Sequence, residues 1–133
     1  MLTALIVAVL AYALDQLTKY AVESTMQLGD SVAVIPGVLR WHYILNPGAA
    51  FSIATGMTWV LTLVAVAVVI GVIKIGRALR SPWWALGLGL ILGGALGNLI
   101  DRFFRSPGPL QGHVVDFVSV GWWPVFNVAD SSI

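Results

Sequence analysis

Three long apolar runs, Leu2–Val22, Met57–Ile73 and Trp83–Ile100, constrain this chain more than anything else in it. Each approaches the roughly 20 residues that an α-helix needs to cross the hydrocarbon core of a bilayer. Inside that core no water is available to the backbone, so a single crossing segment must satisfy its N–H and C=O groups internally, as a helix does. Only 10% of the 133 residues are charged and 59% are hydrophobic, where soluble domains carry about a quarter charged residues. The expected fold class is therefore an all-α polytopic membrane protein, with residues 1–133 forming one membrane-embedded domain. Ala11-Tyr12-Ala13 fits a small-x-small cleavage pattern, but no Lys or Arg precedes the run, so it reads as a span and not a cleaved signal.

Charge sets the orientation. Lys74, Arg77 and Arg80 lie between the second and third spans, whereas Arg40 is accompanied by Glu23 and Asp30 between the first and second. The positive-inside tendency puts the 74–82 turn in the cytoplasm, against the pull of Arg102 and Arg105 beyond the third span. In that orientation Asp15 and Lys19 of the first span and Asn98, Asp101 and Arg102 of the third reach the same outer face. Pro124-Val125-Phe126, with Asn127 and Asp130 following, reads as the start of a fourth, inward-running helix over about 125–133.

Two stripes mark the third span. Ala85, Gly89, Gly93 and Gly97 recur every four residues and offer a smooth surface to a neighbouring helix. Gly94, Asn98 and Arg102 form a second stripe that turns the polar end toward the bundle interior. Outside the membrane, Ser31–Ile35 and Leu39–Leu45 flank the turn-forming Pro36-Gly37, and His113–Val120 alternates so that Asp116 shares a face with Val114 and Val118. These segments predict a small extracytoplasmic β-sheet over a helical bundle. Trp83, Trp84, Trp122 and Trp123 fall near span ends, as an interfacial aromatic belt does.

Several chemistries find no support. A net charge of +1 without a basic stripe argues against nucleic acid, and the absence of cysteine removes thiolate chemistry. His42 and His113 stand apart with no ligands at metal spacing, and no phosphate loop or nucleophile elbow stands out. What remains is a pair of acids: Asp116 and Asp130 lie in HVVDFVSVGWWPVFNVAD, in a chain with only six acidic residues. Carboxyl groups held close together share a proton, so that one can activate water while the other polarises a carbonyl. The plainer alternatives are a solvated loop acid for Asp116 and a helix N-cap for Asp130. At a helix N-terminus Asp130 would be pushed toward ionisation, leaving the shared proton on a partner in a more apolar setting. Asp15 and Lys19, four apart, read as an internal ion pair whose lysine snorkels to the interface, and Asp101-Arg102 reads as a helix-end ion pair. A proton- or ion-coupled transporter subunit using these aspartates is the rival function, although no acid lies toward the cytoplasmic side.

Five blocks taken in order, Asp15-Gln16-Leu17-Thr18-Lys19, Asn46-Pro47-Gly48-Ala49-Ala50-Phe51-Ser52, Gly93-Gly94-Ala95-Leu96-Gly97-Asn98-Leu99-Ile100-Asp101-Arg102, His113-Val114-Val115-Asp116-Phe117 and Phe126-Asn127-Val128-Ala129-Asp130-Ser131, resemble the lipoprotein signal peptidases, or signal peptidase II. The resemblance covers nearly the whole chain. It implies a four-helix aspartyl endopeptidase of the bacterial cytoplasmic (inner) membrane, its active site on the extracytoplasmic side. Such an enzyme removes signal peptides from diacylglyceryl-modified prolipoproteins, works as a monomer among membrane lipids and needs no metal or organic cofactor. Asp116 and Asp130 match the catalytic dyad. Asp15, Asn46, Gly48, Asn98, Arg102, Asn127 and Ala129 fall on positions that surround or support the site, and Asp101 and Lys19 on positions of less defined role. Because only Ser131, Ser132 and Ile133 follow Asp130, the resemblance also implies a chain truncated within the fourth helix.

Overall fold

The computed structural model describes residues 2–47, 58–77, 81–105, 110 and 112–133. Among the described residues three helices are long and apolar enough to cross a membrane: α1 (Leu2–Thr25), α2 (Thr58–Gly76) and α3 (Pro82–Phe104). Proline at the first position of α3 follows an extended Ser81, where its missing N–H costs nothing and its fixed φ suits the helix. Lipid-facing side chains such as Leu2, Ile6, Val9 and Leu10 are exposed, which in a bilayer is the favourable state. The chain is a multi-pass membrane protein.

Between such helices there is no hydrophobic driving force, so contact depends on close packing and hydrogen bonds. The buried line of α1 is Ala4, Ala8, Ala11, Asp15 and Lys19, and the glycine stripe of α3 lies against it. A Cβ at Gly89 would sit 2.7 Å from Ala4 O, one at Gly93 would sit 2.5 Å from Ala8 O, and one at Gly97 would overlap the Asp15 carboxylate. The second stripe faces elsewhere: a Cβ at Gly94 would lie 2.6 Å from Ala129 O. The stripe of small residues is thus what lets two helix backbones approach until Asp15 and Lys19 are sealed between them.

The strands β1 (Ser31–Ile35), β2 (Leu39–Asn46) and β3 (Val114–Val120) form one antiparallel sheet in the order β1-β2-β3. Val38 N–H donates to Ile35 O across Pro36-Gly37, with Gly37 at φ +76°; this is the positive-φ position that favours glycine in a type II turn. Pairing of β2 with β3 sets Ile44 opposite Asp116 and Asn46 opposite Val114.

The fourth helix starts later than the sequence pattern suggests. Phe126 is still extended and exchanges backbone hydrogen bonds with Val118 at 2.9 and 2.8 Å. The helix α4 (Val128–Ser132) begins only after Asn127. Asn127, not Asp130, is the N-cap, because its side chain accepts the Asp130 N–H while the Asp130 carboxylate accepts the Asn127 N–H, a reciprocal capping box.

Candidate active site

Asp116 lies on a part of β3 covered on both faces: Val114, Val115, Asp116 and Phe117 are all buried. Asn46 of β2 reaches it diagonally across the strand pair, Nδ2 donating to Asp116 Oδ2 at 3.0 Å. From the other side Asn127 Nδ2 donates to Asp116 Oδ1 at 2.7 Å. Both oxygens therefore accept amide hydrogen bonds, which favour the charged form. Burial and the nearby Asp130 carboxylate outweigh them and push the Asp116 carboxyl up to about 7.

Asp130 stands in a different setting. Its side chain is exposed; Oδ1 accepts from Asn98 Nδ2 at 3.0 Å and Oδ2 from the Asn127 N–H at 3.2 Å. Asn127, fully buried, thus touches both acids at once. Its Nδ2 also lies 3.1 Å from Asn98 Oδ1 and 3.1 Å from Val115 O. Two protons serving three acceptors hold the amide in one orientation, with its oxygen toward the Asp130 N–H.

Behind this layer is a fully buried ionic cluster. Lys19 Nζ is 2.8 Å from Asp15 Oδ2, 2.8 Å from Asp101 Oδ2 and 3.0 Å from Asn98 Oδ1. Lys19 does not snorkel; its three N–H donors each find a carbonyl or carboxylate inside the bundle, which no interface position would provide. Asp15 Oδ1 accepts the Ala129 N–H at 3.0 Å, so α1 anchors the first turn of α4. Asp101 pairs with Lys19 and Arg105, and not with the adjacent Arg102, because i and i+4 share a helix face and neighbours do not. Arg102 instead lines the cleft, within Coulombic reach of Asp130, Asp101 and Asp116. Its Nε is buried without a hydrogen-bond partner among the described residues.

The cleft has a volume of about 380 Å³. Asn46, Asn98, Arg102, Asp116, Asp130 and Ser131 make its polar wall, and Val114, Trp123, Val125, Phe126 and Ile133 its apolar one. Of the residues expected at the site, Asn46, Asn98, Arg102, Asp116, Asn127 and Asp130 meet here, and Asp15, Lys19, Asp101 and Ala129 form the layer behind. Gly48 lies outside the described residues. Sequence reasoning missed Gln16, whose Nε2 donates to Gly97 O at 3.0 Å, and Arg105; the i, i+4 spacing of Arg105 from Asp101 was the available signal for the second.

The family model for signal peptidase (SPase) II matches residues 7–133. A protein of Rhodococcus jostii (strain RHA1) called lipoprotein signal peptidase is 66% identical over 128 residues, covering 96% of this chain and 65% of that protein. One of the same name from Mycobacterium tuberculosis (strain ATCC 25618 / H37Rv) is 61% identical over 127 residues, covering 96% and 63%. The chain spans just under two thirds of the length of these curated relatives. A bacterial membrane enzyme solved by the in meso method at 2.3 Å resolution superposes with a TM-score of 0.87 at 33% identity, over 99% of this chain and 80% of that one.

Proposed function

The chain belongs to the signal peptidase II family, and on that premise we propose that it is an aspartyl endopeptidase that cuts the signal peptide from diacylglyceryl-modified prolipoproteins, with Asp116 and Asp130 as the catalytic pair. The single observation that carries this reading is that two carboxyl groups from different elements, one buried and one exposed, are tied to the same Asn127 at the wall of one cleft.

Their different environments support a division of roles. Asp116, pushed up to about 7 by burial and by Asp130, carries a proton in about half of the molecules at pH 7, and in that form donates it to the scissile carbonyl oxygen. Asp130, open to the cleft, takes a proton from water as the oxygen attacks the carbonyl carbon. The resulting tetrahedral diol collapses with cleavage of the C–N bond. Asp130 delivers its proton to the leaving amide nitrogen, and Asp116 recovers its own from the diol hydroxyl. Asn46, Asn98 and Asn127 hold the two carboxyl groups, and Arg102 moderates the negative charge that a second ionisation would bring. The apolar wall suits a substrate whose acyl chains stay in the bilayer.

The same reading puts the enzyme in the bacterial cytoplasmic membrane as a monomer, with the sheet end of the bundle outside and Lys74 and Arg77 inside. A transporter is disfavoured: all six acidic residues lie at or beyond the Asp15 level of the bundle, leaving no acid near the Lys74 end to continue a path. The test is cleavage of a diacylglyceryl-modified prolipoprotein by the full-length protein and by its Asp116→Asn and Asp130→Asn variants. Loss of at least about 1,000-fold in kcat is expected for each; undiminished cleavage by either would remove the mechanism.

A further inference from the structure

Asp101 has two oxygens with unequal surroundings. Its Oδ2 lies 2.8 Å from Lys19 Nζ and accepts the Val115 N–H at 3.3 Å. Its Oδ1 is buried, and the group that faces it among the described residues is Arg105 Nε, an ion pair at 2.9 Å. Arg105, the residue that caps the C-terminus of α3 and 27% exposed, reaches Glu23 near the end of α1 with Nη1. Val115 adjoins Asp116, and its carbonyl is one of the acceptors of Asn127 Nδ2. A chain of contacts therefore runs from the protein surface through Arg105 and Asp101 to the backbone that carries Asp116.

We propose that Arg105 is a positioning residue for the candidate site, acting through Asp101 to fix Val115 and hence the Asp116 carboxyl. Paired at Oδ1, Asp101 keeps Oδ2 directed at both Lys19 and the Val115 amide. Unpaired, the buried oxygen has to find another donor, and rotation toward one releases the strand. Charge works in the same direction. Lys19 and Arg105 are the two cations in contact with three acids, Asp15, Asp101 and Glu23. Removal of Arg105 leaves an extra negative charge behind a dyad that also feels Asp130 from α4, Arg102 from α3, Lys19 and Asp15 from α1 and the Asn46 amide from β2. The proton on Asp116 is then held more tightly.

The inference rests on the peptidase reading for its kinetic consequence but not for its structural one. Full-length Arg105→Gln, Arg105→Lys and Glu23→Gln are compared by steady-state cleavage across pH and by hydrogen exchange at the Val115 amide. For Arg105→Gln, kcat falls about tenfold with KM within about twofold, since misplacement of a reacting group acts on the chemical step. The alkaline limb of its pH profile moves up, and its Val115 amide exchanges about tenfold faster. Arg105→Lys, which keeps a cation beside Asp101, restores both readouts, and Glu23→Gln leaves both near the parent. Parental kcat and exchange in Arg105→Gln overturn the proposal, as does a Glu23→Gln loss of equal size, which marks a strap between helix ends only. Should Arg105→Gln not fold, Arg105→Lys decides by whether it keeps parental Val115 protection. If the parent itself fails to cut prolipoprotein, the peptidase reading falls while Val115 exchange still reports on Arg105.

Discussion

Replacing Asp116 with asparagine should make the protein less sensitive to pH, and the size of the effect follows from the burial of the carboxyl. Its folded-state pKa of about 7 exceeds the ordinary value of 3.8. Between those values the folded state binds more protons than the unfolded one, so stability falls as pH rises through this window and levels off above it. The rise from 3.8 to about 7 amounts to about 4 kcal/mol in all, of which roughly 2–3 kcal/mol is lost between about pH 5 and pH 8. Asparagine removes the titration but leaves a mismatch: Asn46 Nδ2 and Asn127 Nδ2 both donate to Asp116, and an amide offers them one oxygen. That loss costs about 1–3 kcal/mol at every pH. Asp116→Asn should thus be level with or below the parent near pH 5 and gain on it by about 2–3 kcal/mol near pH 8, a change of about 10 °C in relative melting temperature. Thermal unfolding of both full-length proteins in the same detergent across that range measures the difference, from which titration of groups not coupled to Asp116 cancels. A gap that stays constant with pH refutes the assignment of the raised carboxyl to Asp116.

Two further substitutions separate packing from charge. Gly97→Ala drives a methyl group into the Asp15 carboxylate, whereas Gly87→Ala meets nothing within 4 Å; the first should lower stability by about 1–3 kcal/mol and reduce cleavage, while the second should be neutral or gain up to about 1 kcal/mol from helix propensity. Melting curves for the pair check this, and equal effects would contradict the helix contact described. Lys19→Met leaves Asp15 and Asp101 buried without their shared cation and should cost about 3–5 kcal/mol; a folded, fully stable Lys19→Met protein would show that the cluster is not held as a charged unit.

Much of this architecture was legible because the bilayer is so restrictive a solvent. Long apolar runs had one available structure, and the four-residue recurrence of Gly89, Gly93 and Gly97 fixed which face of α3 would meet another helix. Pro36-Gly37 fixed a turn through φ alone. The ordered blocks around Asp116 and Asp130 identified the family. Local pattern was less informative where tertiary partners compete with it. Residues 124–126 have the composition of a helix start, yet Phe126 stays extended because Val118 offers it backbone bonds, and Asn127 supplies a better cap than Asp130.

The sequence by itself determined the spans, the sheet and the identity of the polar residues, since each follows from periodicity, chain length or turn chemistry within a few positions. Only the tertiary structure decided what those residues do to one another. Lys19 belongs to Asp101 and Asn98, some 80 positions away, as much as to Asp15, and Ala129 is held by Asp15 across 114 positions. Burial then separates two chemically identical carboxyl groups, raising Asp116 while Asp130 stays open to the cleft. That difference depends on desolvation and on a neighbouring charge, and both arise from packing between elements that the linear sequence keeps far apart.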